Sequence, residues 1–370
     1  DRRADGGARM SVRELEGGTA PAASTAGEPG AQEAGWRAVL AAPVVAVITL
    51  VWALIATDDA GVAFRDPDNV AALYVVLVGA GVAGLVVLDV WIRAARRAGS
   101  WRGAGPFMGA VRRERWTRSR GLAVASALIS FYVTYLAYRN LKGVIPLLRP
   151  GDLFDGDIAE VDRWLFFGSD PAALLHDVLG TGVSAHVLST VYAAFIVFLP
   201  LSLGMALVFA RDLPTTLFYA TALCVNWVLG AISYFVWPAL GPIYAFAGWF
   251  DELPRTEVTR LQQMLLDDRV AWLRDPDGTV PQAIAAFASL HVAMSFTALL
   301  AAHLLGLGRR VLIALWVWLI ATLLATIYFG WHYVMDDVAG ILIGAAALGI
   351  AKVLTGFDVR AARERQRARA

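Results

Sequence analysis

The sequence predicts an all-α polytopic membrane protein. Three observations carry that expectation: 58% of the 370 residues are hydrophobic, only 17% are charged, and apolar runs of membrane-spanning length recur along the chain. An ordinary soluble domain is about 25% charged, and the mean hydropathy here is +0.58. So much apolar surface does not fit inside one soluble core. A helix needs about 20 apolar residues to cross the hydrocarbon, which places spans near 38–57, 69–92, 120–138, 186–209, 214–237, 283–307, 310–330 and 333–355.

Around these eight spans the chain divides into five parts. Residues 1–35 are polar, without an apolar period, and are expected to be a disordered tail. They lack the apolar stretch of a signal peptide. Residues 36–92 hold two bland N-terminal spans, in which Asp89 near one end is the sole charge. A basic linker follows at 93–119, then a membrane core at 120–355 and a basic tail at 356–370.

Orientation follows from the distribution of arginine. Arg96, Arg97, Arg102, Arg112, Arg113, Arg115 and Arg118 crowd the linker beside the single acid Glu114. Arg211, Arg309, Arg310 and the tail arginines Arg360, Arg363, Arg365, Arg367 and Arg369 fall on the same side when eight spans are threaded. The positive-inside rule makes that side cytoplasmic, with both termini on it. Segments 139–185 and 238–282 then face out and carry 14 of the 31 acids, among them Asp152, Asp155, Asp157, Glu160, Asp162, Asp170, Asp251 and Glu252. Within the second, Thr256–Leu273 has helical apolar spacing and reads equally as a lid or as an amphipathic helix on the membrane surface. All cations but Lys142 and Lys352 are arginine, a bias that points to a GC-rich bacterial genome and hence to a plasma membrane. The net charge of +1 excludes a broadly basic nucleic-acid binder, and Cys224 alone permits neither an internal disulfide nor a cysteine metal site.

Titratable groups at the outer ends of spans are costly to keep and mark function. Three places hold them. Lys142 and Arg149 lie seven apart in a segment bounded by Pro150. Lysine offers a mobile point charge and arginine a planar fork for phosphate oxygens, while two interfacial cations reaching for head groups give the same pattern. Ser289-Leu290-His291 sits in the first third of the sixth span, where an interhelical hydrogen bond is the plain alternative. His332 and Asp336 are four apart at the start of the eighth span, on one helix face. A carboxylate there can hold one ring nitrogen and leave the other nucleophilic, or the two can form a structural pair. Asp337 competes with Asp336 for this role. His303 lies at the far end of its span, and His176 and His186 suit packing or surface positions. No Asp/Glu/His set resembles a metal cage.

Together the three places converge on the outer leaflet and supply two cations, a hydroxyl, two histidines and a carboxylate, a phosphate clamp with nucleophile, orienter and general acid. Lys142-x6-Arg149-Pro150, Ser289-x-His291 and His332-x3-Asp336 resemble, in order and placement, the three motifs of the type 2 phosphatidic acid phosphatase (PAP2) superfamily over about residues 120–355. The resemblance implies a six-helix catalytic core, with the two N-terminal spans added to it. It implies that His332 attacks phosphorus to form a phosphohistidine, that Asp336 orients it, and that His291 protonates the leaving oxygen. Lys142, Arg149 and Ser289 would hold the phosphoryl oxygens, with no metal or cofactor.

The sequence departs from the superfamily pattern at Leu290, where glycine is usual, and at Ala325-Thr326, where Ser-Arg is usual. One phosphate-binding cation is therefore absent, which penalises a dianionic monoester more than a diester. These departures are similar to the inositol-phosphorylceramide synthase (Aur1-like) branch, as are Asp162-Arg-Trp-Leu-Phe-Phe-Gly-Ser-Asp-Pro171 and Tyr234-x3-Pro238-x2-Gly241-Pro242-x-Tyr244. Ala288 stands where that branch commonly has proline. The resemblance implies transfer of a phospho-head-group from a lipid donor to an alcohol acceptor. Hydrolysis of a lipid phosphate such as phosphatidate or a polyprenyl phosphate or diphosphate is the alternative. A non-enzymatic transporter that keeps polar residues along a substrate path is an alternative of another class.

Overall fold

The computed structural model describes residues 35–66, 70–210, 212–276 and 284–367. Residues 1–34 of the expected tail, Arg211, residue 283 and Arg369 lie outside them. The described residues form α1 (Trp36–Asp59), α2 (Val70–Ala98), α3 (Gly105–Arg115), α4 (Arg118–Leu148), α5 (Asp155–Leu165), α6 (Pro171–Leu179), α7 (Val183–Phe209), α8 (Leu213–Val236), α9 (Pro242–Ala245), α10 (Glu257–Arg274), α11 (Leu290–Leu305), α12 (Arg309–Tyr328), α13 (Val334–Thr355) and α14 (Val359–Arg367). No strand occurs among them. Seven helices (α1, α2, α4, α7, α8, α12 and α13) are long and apolar enough to cross a membrane. The chain is an all-α polytopic membrane protein.

Two spans differ from expectation. The sixth, expected at 283–307, is the 16-residue α11, which begins only at Leu290. Residues 284–289 run in a non-helical backbone that still satisfies its polar groups. Ala286 N donates to Ala239 O at 2.8 Å, Ser289 N to Asp336 O at 2.9 Å and Ala288 N to Ser233 Oγ at 3.0 Å. Irregular backbone at membrane depth persists only where protein supplies such partners. The third span, expected to end near 138, continues to Leu148. Its apolar run stops at Arg139 and Asn140, but Asn140, Leu141, Gly143, Val144 and Ile145 are buried in protein, so the helix needs no lipid-compatible face there.

α8 runs through the middle of the bundle and is buried along most of its length. α4, α11 and α13 pack around it, and α12 closes against α11 and α7. The N-terminal spans straddle this core. α1 lies on α4, α8 and α13, whereas α2 lies on α7 and α3. The loop after α1 is pinned to the core by Asn140, whose Nδ2 donates to Arg65 O at 2.9 Å and whose Oδ1 accepts from Arg65 N at 3.0 Å.

The two ends of the bundle differ in chemistry. At one, the guanidinium of Arg115 donates to Val208 O at 3.0 Å and Ala210 O at 2.8 Å, and Arg120 donates to Ala210 O at 3.1 Å. These cations meet the carbonyl end of α7, where the helix dipole favours them. Asp89, buried, ties Arg93 at 2.7 Å and Arg115 at 3.2 Å. At the opposite end the acidic segments fold into α5, α6, α9 and α10, which pack on α13, α12 and α7 as a roof.

Candidate active site

α11 and α13 approach closely because α13 lacks side chains where they touch. A Cβ on Gly340 would lie 2.4 Å from Ser289 O, and one on Gly344 would lie 2.6 Å from Ala293 O. Small residues let backbones meet in this way. The contact brings His291, in the first turn of α11, beside His332, which precedes α13. Their rings are 5.7 Å apart between centroids.

His332 is buried, 5% exposed. Its Nδ1 lies 3.3 Å from Asp336 Oδ2, and the same oxygen accepts from Tyr333 N at 3.0 Å. Asp336 therefore faces the imidazole. Asp337 points elsewhere, 3.1 Å from the Thr326 hydroxyl and within reach of the Ser289 hydroxyl. Burial, then the positive charge of Lys142, pushes the His332 imidazole below the usual histidine range, so the ring rests neutral. A neutral ring is the nucleophilic form.

Lys142 stands on α4 with its Nζ 5.9 Å from the centre of the Tyr234 ring. Its charge is felt at both His332 and His291. Arg149, by contrast, is seven residues farther along α4, roughly 10 Å at 1.5 Å per residue. It caps the carbonyl end of α8, donating to Phe235 O and, at 3.1 Å, to Val236 O, and pairs with Asp152 at 3.0 Å. The structure thus brings Lys142, His291, His332, Asp336 and Ser289 together and holds Arg149 apart, at the end of α8. Ser289 is fully buried and serves as the N-cap of α11, its hydroxyl accepting from Val292 N at 3.5 Å.

The departures from the motif pattern have structural partners. Leu290 fits because Gly230 of α8 leaves room for it; a Cβ there would come within 2.5 Å of the Leu290 Cδ1. Thr326, in the place of the usual arginine, shares its proton between Asp337 and the carbonyls of Thr322 and Leu323.

Two further acids support the site: Asp162, which heads the segment Asp162–Pro171 noted above, and Asp155, which stands in none of the quoted motifs. Asp162 accepts from Val334 N at 2.7 Å and Met335 N at 3.1 Å, capping the helix that carries Asp336. Asp155 accepts from Gly241 N at 2.8 Å, from Leu240 N at 2.9 Å and from the Tyr333 hydroxyl at 2.9 Å. They lie seven apart on one face of α5, a spacing that was a sequence signal for a shared buried face. His176 is a roof residue, its Nε2 2.8 Å from Tyr328 O, and His303 lies beside Trp316 at the far end of α11.

Aromatic rings cover the histidines. His291 is bracketed by Phe195 at 4.4 Å and Tyr192 at 4.8 Å, and Tyr192 stacks on Trp331 at 5.1 Å. The free volume against His332 is only about 10 Å³, lined by Asp170, Trp249 and Tyr333 among others, about one water. A cavity of about 550 Å³ opens at the opposite, basic end between α7, α8 and α11 and holds none of these groups. Among the described residues no cluster of three or more His, Cys, Asp or Glu could hold a metal ion.

A family model described as PAP2 superfamily matches residues 156–350, more than half of the chain. The match includes His291, His332 and Asp336 and begins after Lys142 and Arg149. Searches of curated proteins and of solved structures return no match. The helical bundle, the paired histidines at its end and this match agree: the chain belongs to the PAP2 superfamily.

Proposed function

We propose that this membrane enzyme transfers a phospho-head-group from a lipid donor to an alcohol acceptor through a phosphohistidine on His332. The observation that carries the proposal is the Nδ1 contact of His332 with Asp336 at 3.3 Å, with the His291 ring 5.7 Å away. The Nε2 lone pair of His332 attacks phosphorus. The bond from phosphorus to the leaving alcohol oxygen breaks, and that oxygen takes its electron pair and a proton from His291. Asp336 balances the charge that the phosphorylated ring acquires. In the second half, His291 removes the acceptor's hydroxyl proton, the acceptor oxygen attacks phosphorus, and the N–P pair returns to His332. Lys142 holds the phosphoryl oxygens, and Arg149 stays at the end of α8.

Transfer over hydrolysis is supported by the aromatic cover of Tyr192, Phe195 and Trp331 over the histidines, because a transferase must keep water from the intermediate. Thr326 in place of an arginine fits a donor with one charge fewer than a monoester. The positive-inside pattern supports a site on the outer face of the plasma membrane.

The test incubates the purified protein and His332→Ala with lipid phosphates and phosphodiester lipids, with and without alcohol acceptors, and follows products by mass spectrometry. A new phosphodiester that needs both acceptor and His332 is expected. Free phosphate from monoesters, dependent on His332, would make the protein a phosphatase. Product formation undiminished in His332→Ala would overturn the mechanism.

A further inference from the structure

The geometry points to a second lipid site, remote from the histidines. The cavity at the basic end of the bundle takes one acyl chain of an anionic phospholipid, and Arg310 and Arg363 hold the head-group phosphate at its mouth. The site stands apart from the reaction centre and does not depend on the role of His332.

The cavity holds about 550 Å³, within the range of ligand sites. Val311 and Leu315 of α12 and Ala362 of α14 complete the walls set by α7, α8 and α11. Its interior is apolar. The hydroxyls of Ser202 and Tyr219 line it, but their protons are spent within the protein. Tyr219 Oη donates to Ser202 Oγ at 3.1 Å, and Ser202 Oγ donates to Leu199 O at 2.8 Å. Such an interior suits hydrocarbon. Leu201 and Met205 border the cavity and are exposed on the flank of α7, so it opens toward the acyl chains of the bilayer. Toward the histidines it is shut by rings. Phe195 lies 4.4 Å from His291 and 6.3 Å from Phe198, which stacks on Trp318 at 4.6 Å. A chain in the cavity therefore comes from the leaflet at the basic end, the cytoplasmic one on the positive-inside reading.

The mouth is cationic. Arg363 follows the wall residue Ala362, and its side chain lies against the end of α11: a Cβ on Gly306 would meet its Cγ at 3.7 Å and its Nε at 3.8 Å. Gly306 sits between the wall residues Leu305 and Leu307. Arg310 precedes the wall residue Val311 in the first turn of α12, and no side chain caps that helix. Its first backbone N–H groups therefore add to the attraction for phosphate. Arg310 and Arg363 are both exposed. Arg115 and Arg120 are engaged in the wall, donating to Ala210 O at 2.8 and 3.1 Å. Two acids share this end. Asp212 caps α8 by accepting from Thr215 N at 2.9 Å, and Glu364 is exposed on α14. A basic pocket between spans that opens on hydrocarbon matches a lipid with an anionic head group.

The probes are phosphatidylglycerol, anionic, and phosphatidylcholine, zwitterionic, with the same chains. Each is titrated in mixed micelles into the purified full-length protein while thermal unfolding is followed. Phosphatidylglycerol is expected to stabilise the protein at a concentration at least about fivefold lower, the scale of one cation beside an anionic head group. Arg310→Gln and Arg363→Gln should each weaken phosphatidylglycerol by about that factor and leave phosphatidylcholine within about twofold. Ala206→Phe, which fills the cavity from α7, should weaken both lipids; if it misfolds, the two arginine variants carry the test. Glycerol phosphate, a head group without chains, should not stabilise the protein. Equal response to the two lipids, arginine variants that change nothing, a folded Ala206→Phe that keeps both lipids, or glycerol phosphate acting as well as the lipid overturns the inference. Lys142→Gln, at the reaction centre, should bind both lipids as the parent does. A loss there with none in Arg363→Gln would seat the lipid at the histidines and overturn the inference as well.

Discussion

The backbone N–H of Ser289 donates to the carbonyl oxygen of Asp336 at 2.9 Å. The helix that carries His291 and the helix that orients His332 therefore start at a shared bond. Gly340, one turn beyond Asp336, lets Ser289 come so close, since a Cβ there would lie 2.4 Å from Ser289 O. The spacing between the two histidines is thus set by backbone and not by flexible side chains, as a two-step proton and phosphoryl transfer requires.

That relationship predicts the outcome of adding one methyl group. Gly340→Ala must push α11 from α13, at roughly 1–3 kcal/mol for overpacking a tight contact. The expected result is a lower melting temperature together with a lower kcat. Gly349→Ala, on the same helix with nothing within 4 Å of its added Cβ, should change neither. Equal behaviour of the two variants would mean that the contact does not set the histidine spacing.

Asp336 and Asp337 are adjacent, yet their partners differ. Asp336→Asn removes the anion facing His332 Nδ1 and should cut turnover by about 10²–10⁴-fold with the fold intact. Asp337→Asn disturbs the Thr326 and Ser289 contacts instead, and should lower the melting temperature more than the rate. Rate measurements and thermal unfolding on both variants decide; a larger rate loss in Asp337→Asn would reassign the orienter.

Much of this was legible in the sequence. The apolar runs and arginine clusters gave the helices and sorted their ends, since hydropathy and charge are local properties. The i, i+4 spacing of His332 and Asp336 pointed to the pair, but not through one helix face: His332 lies just ahead of α13, and Asp336, in the first turn, reaches back over the N-cap to Tyr333 N and so meets the ring. The start of α11 was not legible. Residues 284–289 are as apolar as a span, and only the carbonyls and hydroxyls supplied by Ala239, Ser233 and Asp336 make their extended path tolerable. Asp162 stood out in the sequence at the head of the segment 162–171, but what it and Asp155 hold was not legible, since their partners lie 172 and 86 positions away at Val334 and Gly241. Arg149 shows a further limit. Seven-residue spacing puts it on the Lys142 face, but the height along α4 and the carbonyls of α8 decide what it touches.

Lys142 and Arg149 should therefore respond differently to loss of charge. Lys142→Gln removes the cation felt at both histidines and should cost about 10²-fold or more in kcat/KM, the usual effect of deleting one charge-stabilising group. Arg149→Gln should cost less than about tenfold and should lower stability instead, because its guanidinium closes the end of α8. A loss as large for Arg149→Gln as for Lys142→Gln would show that Arg149 leaves Asp152 and swings inward when substrate binds.

The support from α5 can be measured apart from the chemistry. Asp162→Ala strips the acceptor from Val334 N and Met335 N and should cost about 1 kcal/mol, the worth of a helix cap. Asp162→Asn keeps an oxygen there and should cost less, the difference reporting the helix-dipole share. His332 lies two residues before the capped turn, so kcat should fall alongside the melting temperature. Unchanged kcat in a destabilised Asp162→Ala would separate the cap from the positioning of His332.

The orientation has a test that uses the single cysteine. Cys224 is fully buried, so an impermeant maleimide should leave the parent protein unlabelled. Glu160 on α5 and Arg113 on α3 are both exposed and belong to opposite ends of the bundle. With the site on the outer face, Glu160→Cys should label in intact cells, and Arg113→Cys only after the membrane is opened. The positive-inside rule predicts this sign, because the excess of arginine around Arg113 resists translocation. Labelling of Arg113→Cys with protection of Glu160→Cys would place the histidines on the cytoplasmic face, where the donor and acceptor lipids would have to be drawn from the inner leaflet.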